Sequence, residues 1–221
     1  MGRYTMTGLL KGKVAVVTGG SKGIGYSIAE RFTKEGAKVV ISSRNKEELE
    51  VAANELGSDC FAVDVSDSKS VLSLKEWLVD THGSLDILVN CAGAVRYDGI
   101  MEVTEEDWDF LISVNLTGTF LMCNKLAPIM NDGGAILNIS STLGLRAMEG
   151  AVAYCAAKGG VVNLTKAIAL DLVDKIRVNC LSNCRRLWWS IYCKHYGLCI
   201  RSYWFSITLF SWNTSTCLLY T

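Results

Sequence analysis

Six short apolar runs alternate with segments of helical spacing along residues 11–182, and this alternation limits the possible folds more than any other feature. The runs are apolar throughout, without the polar alternation of a half-exposed strand, so both faces of each strand are expected to be buried. Parallel strands joined by right-handed helical crossovers satisfy that requirement. The sequence therefore predicts an α/β fold, a doubly wound parallel sheet of the Rossmann type.

Length, charge and the first residues narrow the classes of protein that this chain can be. Its 221 residues suit one α/β domain, and its net charge of zero with 50% hydrophobic residues favours neither nucleic-acid binding nor disorder. The N-terminus lacks the long apolar run of a signal peptide, and Met6 stands where N-myristoylation needs Ser or Thr. We expect a cytoplasmic protein with no membrane or nucleic-acid partner.

The sequence changes character after residue 183. Residues 184–221 contain no Asp or Glu, but they hold ten aromatic residues, including four of the six tryptophans. They follow neither helical nor strand periodicity. We predict a dinucleotide-binding catalytic domain over 1–183, truncated at its C-terminal end, and a non-matching aromatic tail over 184–221 that reflects a shifted reading frame. The alternative is a genuine membrane-docking tail.

The tail also holds a cluster of residue types that bind metals. Zinc could be drawn onto Cys184, Cys193, His195 and Cys199, but no CxxC pair is present. We read the cluster as coincidence in a cysteine-rich segment and predict no metal site.

A glycine loop lies between the first predicted strand and the helix that follows it. In Thr18–Gly25 (TGGSKGIG), Gly19 allows a tight turn, Gly23 lets the backbone approach a pyrophosphate, and Gly25 permits close packing of helix on strand. The position of the loop, directly after a strand, favours nucleotide binding over a simple turn. The candidate cofactor-binding residues of this loop are Gly19, Ser21, Lys22, Gly23, Ile24 and Gly25.

The residue after the second predicted strand bears on the choice of nucleotide. NAD enzymes usually place a carboxylate there for the ribose 2′-hydroxyl, whereas this chain has Arg44 and no acid before Glu47. Arg44 and Lys22 would suit a 2′-phosphate, so NADP(H) is favoured and NAD(H) remains possible. The alternative is that both are solvated surface cations.

Tyr154 and Lys158 share a helix face at a spacing of four residues, and Ser141 ends the preceding strand. An ammonium one turn away, together with a positive nicotinamide ring, would stabilise the phenolate and lower the tyrosine pKa from its ordinary value of about 10. Ser141 could hydrogen-bond the reacting oxygen. A Tyr/Lys pair alone is usually amphipathic surface, but the strand that ends in Ser140-Ser141 favours a proton-transfer site.

With these residues in place, residues 11–182 resemble the short-chain dehydrogenase/reductase family, most closely its 3-oxoacyl-carrier-protein reductases and glucose-dehydrogenase-like members. The matching stretches are Thr18–Gly25, Asp64-Val65, Asn90–Gly93, Asn115, Ser140-Ser141, Tyr154-x3-Lys158 and Ile176–Asn179.

The resemblance implies a role for each matching residue. Tyr154 would be the general acid/base, Lys158 would lower its pKa and hold the nicotinamide ribose, and Ser141 would orient the substrate. Asn115 would join a water-linked proton relay, and Asp64 would contact adenine. The remaining residues that the resemblance places around the cofactor are Val65, Asn90, Ala92 and Gly93.

The resemblance also implies an activity and marks a departure from the family. The family continues after its sixth strand with Pro-Gly, where this chain has Asn183-Cys184. The function implied is an NAD(P)(H)-dependent oxidoreductase that transfers hydride between nicotinamide and a carbonyl or alcohol substrate. Homo-oligomers are usual for the family, and the departure removes one of their usual contacts. The alternative is a catalytically impaired, truncated nucleotide-binding remnant.

Overall fold

The computed structural model describes residues 8–182 and contains the predicted parallel sheet. The strand order is 3-2-1-4-5-6, and all five neighbouring pairs run parallel. The order reverses between the first and fourth strands, and a crevice opens at such a switch point. The strands are β1 Val14–Thr18, β2 Lys38–Ser43, β3 Asp59–Ala62, β4 Leu85–Asn90, β5 Met130–Ile139 and β6 Ile176–Leu181.

Helices follow the strands with side-chain caps at several N-termini. Asn45, Asp67 and Thr104 each accept a backbone N–H from the first turn of the helix that they precede. Three acidic residues in the first turn after Thr104 also oppose the positive end of the helix dipole. The helices are α1 Gly23–Lys34, α2 Lys46–Leu56, α3 Ser68–His82, α4 Glu105–Ile112, α5 Gly118–Leu126 and α6 Val152–Asp171.

The apolar spacing of residues 104–130 predicts one long helix, but the structure interrupts it. A π-helical turn, Ser113–Thr117, separates α4 from α5, and a 3-10 turn ends the segment at Ile129. Within residues 8–182, Glu105–Ile129 is the one helical segment long and apolar enough to cross a membrane. It supplies Met122 and Leu126 to the core beneath the sheet, as a core helix of a globular protein does.

Both faces of the sheet are buried at its central strands, which explains the continuous apolar runs there, whereas the edge strand β3 has no buried residue. All five residues of β1 are buried. Val16 belongs to the cluster that includes residues of α3 and α5, whereas its neighbour Val17 belongs to the cluster that includes residues of α1 and α2. Successive residues of a strand point to opposite faces, so a strand covered on both sides has no position for a polar alternation.

Asp86 stabilises the amino-terminal ends of the strands, on the side of the sheet away from the crevice. Its carboxylate accepts Val14 N–H and Lys13 Nζ, each at 2.9 Å, and Asn131 Nδ2 at 3.1 Å. Desolvation acts to raise the pKa of Asp86, but these hydrogen bonds outweigh it and hold the pKa below its ordinary value.

Replacing Asp86 with Asn will therefore lower the free energy of unfolding at neutral pH by about 1–3 kcal/mol, since the amide cannot accept from all three donors. A folded-state pKa below the unfolded one contributes stability above the unfolded value of about 3.9, and that contribution is lost as pH falls. Denaturant melts of both proteins should differ at pH 7 and converge below about pH 4. A difference that is constant with pH would contradict this role.

Candidate active site

The glycine loop between β1 and α1 is shaped by close backbone contacts. Gly19 has φ 65°, and a Cβ there would lie 3.0 Å from the Cα of Ala92. A Cβ on Gly25 would collide with the carbonyl oxygen of Gly19. The backbone therefore turns tightly at Gly19, and α1 packs against the end of β1 at Gly25, while the cofactor role of both residues stays a prediction.

The same loop offers an opening suited to a pyrophosphate. Gly23 has φ 61°, and no heavy atom lies within 4 Å of where its Cβ would be. It begins α1, whose N-terminal N–H groups and dipole favour an anion. Ser21 and Ile24 are half-buried, and Lys22 is exposed directly before the helix. These features fit a dinucleotide.

Thr18 joins the glycine loop to the loop that follows β4. Its Oγ1 accepts the N–H groups of Cys91 and Ala92, both at 2.9 Å. Next to them, Gly93 is exposed, and a Cβ there would meet Asn115 Oδ1 at 2.8 Å and Lys158 Nζ at 3.5 Å. The loop after β4 therefore connects the glycine loop with the predicted catalytic residues.

Three further predicted residues follow the ends of β2 and β3. Arg44 follows β2 and is exposed. The Asp64 carboxylate accepts the N–H and the hydroxyl of Ser66, at 2.9 and 2.6 Å. Val65 is buried with its side chain against Gly118, which directs it into the core.

The Asn90 side chain also turns into the core. Its Nδ2 donates to Asn138 Oδ1 at 2.8 Å and to Cys123 Sγ at 3.3 Å, and Asn138 in turn donates to Thr165. Burial raises the pKa of the Cys123 thiol to about 12, so it stays protonated within this network. This hydrogen-bond network ties β4 and β5 to α5 and α6, and it holds the side chain of Asn90 inside the core.

Tyr154 and Lys158 lie together on α6, as their spacing predicts. Lys158 Nζ is 5.8 Å from the centroid of the Tyr154 ring and donates to the carbonyl of Ile139 at 3.0 Å. Lys158 is only 5% exposed. In the opposite direction, Ser140 Oγ donates to the Lys158 carbonyl at 2.8 Å. These two bonds fix the end of β5 against α6 at the level of the lysine.

Ser141 begins the turn that follows β5. Its Oγ accepts the N–H of Leu143 at 3.2 Å, and the side chain is half-buried. The turn packs closely on α6, because a Cβ on Gly144 would lie 2.6 Å from the Lys158 carbonyl oxygen. The serine is thereby held at the crevice end of β5.

Asn115 sits in the π-helical turn and is fully buried. Its amide donates to the carbonyls of Ala94 and Leu111, each at 2.9 Å, and accepts Ala94 N–H at 3.3 Å. The extra residue of the π turn thus coincides with the point where the helix bonds the loop after β4. The structure brings Asn115 close to Gly93 and, through it, to Lys158.

Three residues of the site were not singled out by sequence reasoning. Thr18 and Ser140 were quoted within motifs, but neither was assigned its positioning bond. Glu48 accepts from both Ser21 and Lys22 of the glycine loop. The Asn45-x-x-Glu48 spacing is that of a capping box, which would have turned the glutamate back toward its own helix end. No local signal predicts its contact with the glycine loop.

Arg96, which lies beyond Gly93, is occupied by other protein groups. It pairs with Asp107, and its guanidinium lies 4.5 Å from the centroid of the Phe110 ring. Within residues 8–182, no group of three or more His, Cys, Asp or Glu side chains is arranged to hold a metal ion. The cysteines and the histidine of the tail, and the predicted frame shift, lie outside the described residues.

The chain matches the family model described as short chain dehydrogenase over residues 13–183. It is 40% identical over 181 residues to D-threitol dehydrogenase of Mycolicibacterium smegmatis, covering 78% of this chain and 70% of that protein. It is 39% identical over 186 residues to 3-oxoacyl-[acyl-carrier-protein] reductase FabG of Chlamydia trachomatis serovar D, covering 80% and 75%. The match ends where the sequence changes character.

The fold is also similar to a solved structure, that of a short chain dehydrogenase from Mycobacterium smegmatis. The TM-score is 0.78 at 32% sequence identity, and the similarity covers 85% of each chain.

Proposed function

Because the chain belongs to the short-chain dehydrogenase family and is an NAD(P)(H)-dependent oxidoreductase acting between alcohols and carbonyls, we propose that Tyr154 moves the proton of this reaction. A bound nicotinamide cofactor would supply or accept the hydride. The chain's own residues must then bind the cofactor, orient the substrate oxygen and carry its proton.

The observation that carries this proposal is the convergence at Lys158. The ammonium of this buried lysine faces the Tyr154 ring and lies close to Gly93. Its Nζ donates to the Ile139 carbonyl, and the backbone carbonyl of Lys158 accepts from Ser140. An ammonium held in this position stabilises a phenolate electrostatically, which lets Tyr154 donate or accept a proton near neutral pH. Ser141, at the end of β5, orients the substrate oxygen, and Asn115 takes part in the proton relay.

The cofactor residues that we propose line one continuous crevice. The glycine loop takes the pyrophosphate, Asp64 and the backbone at Val65 border the adenine, and the backbone from Asn90 to Gly93 borders the nicotinamide half. The open space at Gly23 and the backbone contacts at Gly19 and Gly25 support this assignment. We propose residues 1–183 as the catalytic domain.

NADP(H) is the cofactor that we propose, on the strength of Arg44. The arginine is exposed directly after β2, whose residue Ser42 pairs with Thr18 at the start of the glycine loop. A guanidinium in this position bonds a 2′-phosphate bidentately, which the 2′-hydroxyl of NAD(H) cannot match.

Replacing Arg44 with Ala will weaken NADPH binding about tenfold or more and leave NADH binding within about twofold, because a hydrogen bond to a charged group contributes about 1.5–3 kcal/mol. Titration calorimetry measures both constants. Lys46→Ala is the matched control, since it removes an exposed cation two residues away that pairs with Glu50. Equal losses for the two nucleotides in Arg44→Ala would contradict the assignment.

The substrate class proposed is a small-molecule carbonyl or alcohol. D-threitol dehydrogenase and 3-oxoacyl-[acyl-carrier-protein] reductase among the relatives support both directions of the reaction. A panel of ketones with NADPH, and of polyols with NADP⁺, tests it by nucleotide absorbance. The remnant alternative predicts thermal stabilisation by the nucleotide without turnover, and the similarity to named reductases and dehydrogenases favours the enzyme. A cytoplasmic location and a homo-oligomer remain predictions.

A further inference from the structure

One carboxylate of α2 holds two side chains of the glycine loop. Glu48 Oε1 accepts the Ser21 hydroxyl at 3.0 Å, and Glu48 Oε2 accepts Lys22 Nζ at 3.1 Å. The lysine side chain is 78% exposed, whereas that of the glutamate is 35% exposed. The Glu48 side chain is therefore packed against the protein, whereas the Lys22 side chain has room to turn toward a different anion.

The direction of the Glu48 side chain is set by its place in the fold. Asn45 caps α2 by accepting the N–H of Glu48 at 3.1 Å, so the helix end is satisfied without the glutamate carboxylate. The carboxylate instead crosses to the glycine loop. It does so four residues after Arg44, at the end of the crevice where the proposed 2′-phosphate would be recognised.

Beside this contact lies an open cleft of about 360 Å³ whose lining is mostly apolar. Three glutamates are among the residues that line it, which are Ser21, Glu47, Glu48, Val51, Ala52 and Glu55. The glutamate carboxylates repel a phosphate bound nearby, and Arg44 and Lys22 would have to offset this repulsion.

The Glu48 carboxylate is ionised at neutral pH. The hydrogen bond from Lys22, followed by that from Ser21, lowers its pKa below the ordinary range. Its contact with Lys22 is therefore present at neutral pH, where a 2′-phosphate carries most of its charge.

Resting on the proposed function, we propose that Glu48 determines nucleotide specificity by competing with the 2′-phosphate of NADP(H) for Lys22 and Ser21. NADP(H) must displace the carboxylate from the lysine, whereas NAD(H) leaves the contact in place. The glutamate thus reduces the preference for NADP(H) that Arg44 and Lys22 create. An exposed ion pair is weak enough for a phosphate to displace, so the effect is a matter of several-fold.

Titration calorimetry of the full chain tests this without any turnover. Wild type, Glu48→Gln and the matched control Glu47→Gln are titrated with NADPH, NADH and the fragments 2′-AMP and 5′-AMP. Glu47 occupies the same first turn of α2 and lines the same cleft. Replacing Glu47 with Gln removes the same negative charge, so this variant controls for the change in the overall electrostatic field around the cleft.

We expect Glu48→Gln to bind NADPH and 2′-AMP about fivefold more tightly than wild type, with NADH and 5′-AMP within about twofold. Glu47→Gln should stay within about twofold for all four. Glu48→Ala should reproduce the gain, which guards against a new bond made by the glutamine amide.

Unchanged or weaker NADPH binding in Glu48→Gln would overturn the inference, as would an equal gain in NADH binding or in Glu47→Gln. If wild type binds NADPH and only the Glu48 effect is absent, the proposed function stands and the role of Glu48 is lost. If wild type binds neither dinucleotide, both proposals are wrong.

Discussion

Tyr154→Phe will lower kcat/KM for any accepted carbonyl substrate by about a thousandfold, in line with the usual loss of a general acid. Phenylalanine keeps the ring above Lys158 Nζ, 5.8 Å from its centroid, and removes only the phenolic oxygen. The substrate oxygen then lacks its proton donor, while the glycine loop and Arg44 are unchanged. Steady-state rates of NADPH oxidation measure the loss.

Two controls separate this chemistry from structural damage. Tyr26→Phe removes a phenol from α1 that donates to Glu55 at 3.0 Å, and it should leave kcat/KM within about twofold. In Tyr154→Phe, the NADPH dissociation constant and the melting temperature should match wild type. Equal kcat/KM in Tyr154→Phe and wild type would remove the tyrosine from the mechanism.

Gly25→Ala will lower the melting temperature and abolish measurable nucleotide binding. The added methyl would lie much closer to the Gly19 carbonyl oxygen than 3.0 Å, the shortest contact distance that Cβ atoms ordinarily show. That oxygen belongs to the backbone, so it has little freedom to move away. Relief requires α1 to shift away from the end of β1, which also moves the helix N-terminus. Overpacking of this kind costs about 3 kcal/mol, so the melting temperature should fall by about 6–12 °C.

Gly159→Ala on α6 is the matched control for the methyl group. Its Cβ would lie 3.6 Å from the Gly144 carbonyl oxygen, an ordinary contact, and alanine has the better helix propensity. Its melting temperature should equal or exceed that of wild type. Calorimetric melts compare the two variants, and a Gly25→Ala protein as stable as Gly159→Ala would contradict the packing argument.

The fold was largely predictable because the central strands of the sheet are buried on both faces. Continuous apolar runs such as that of β1 predict a covered parallel strand directly. The π turn at Ser113–Thr117 was not predictable, since its residues continue the helical apolar spacing and the loop contact of Asn115 selects the bulge. The start of β5 at Met130 likewise depends on pairing with Leu85 rather than on local sequence.

The site was predictable where backbone geometry dictates a residue type. Gly19 and Gly25 are required by contacts that exclude a Cβ, and glycine is visible in the sequence. The bonds of Thr18, Ser140 and Glu48 join residues that are 18 to 74 positions apart in the chain. Such pairings are set by tertiary packing, so no spacing rule predicts them. Val65 and Asn90 match family motifs, yet their side chains turn into the core.

The reading-frame hypothesis for residues 184–221 has a separate test in the coding DNA. The family match ends at residue 183, next to the position where the family would continue with Pro-Gly. A second frame that continues after Leu181-Ser182 with Pro-Gly and an acid-containing α/β pattern would support the shift. If no frame does so, the aromatic tail is a genuine part of the protein.

The central claim is that this chain transfers a hydride between a nicotinamide cofactor and a carbonyl carbon. The most direct measurement is mass spectrometry of the product after the full chain reduces a ketone with NADPH carrying deuterium at both C4 positions of the nicotinamide. We predict one deuterium on the new carbinol carbon with wild type, and about a thousandfold slower incorporation with Tyr154→Phe. Product without deuterium, or incorporation that is equally fast in both proteins, would contradict the account.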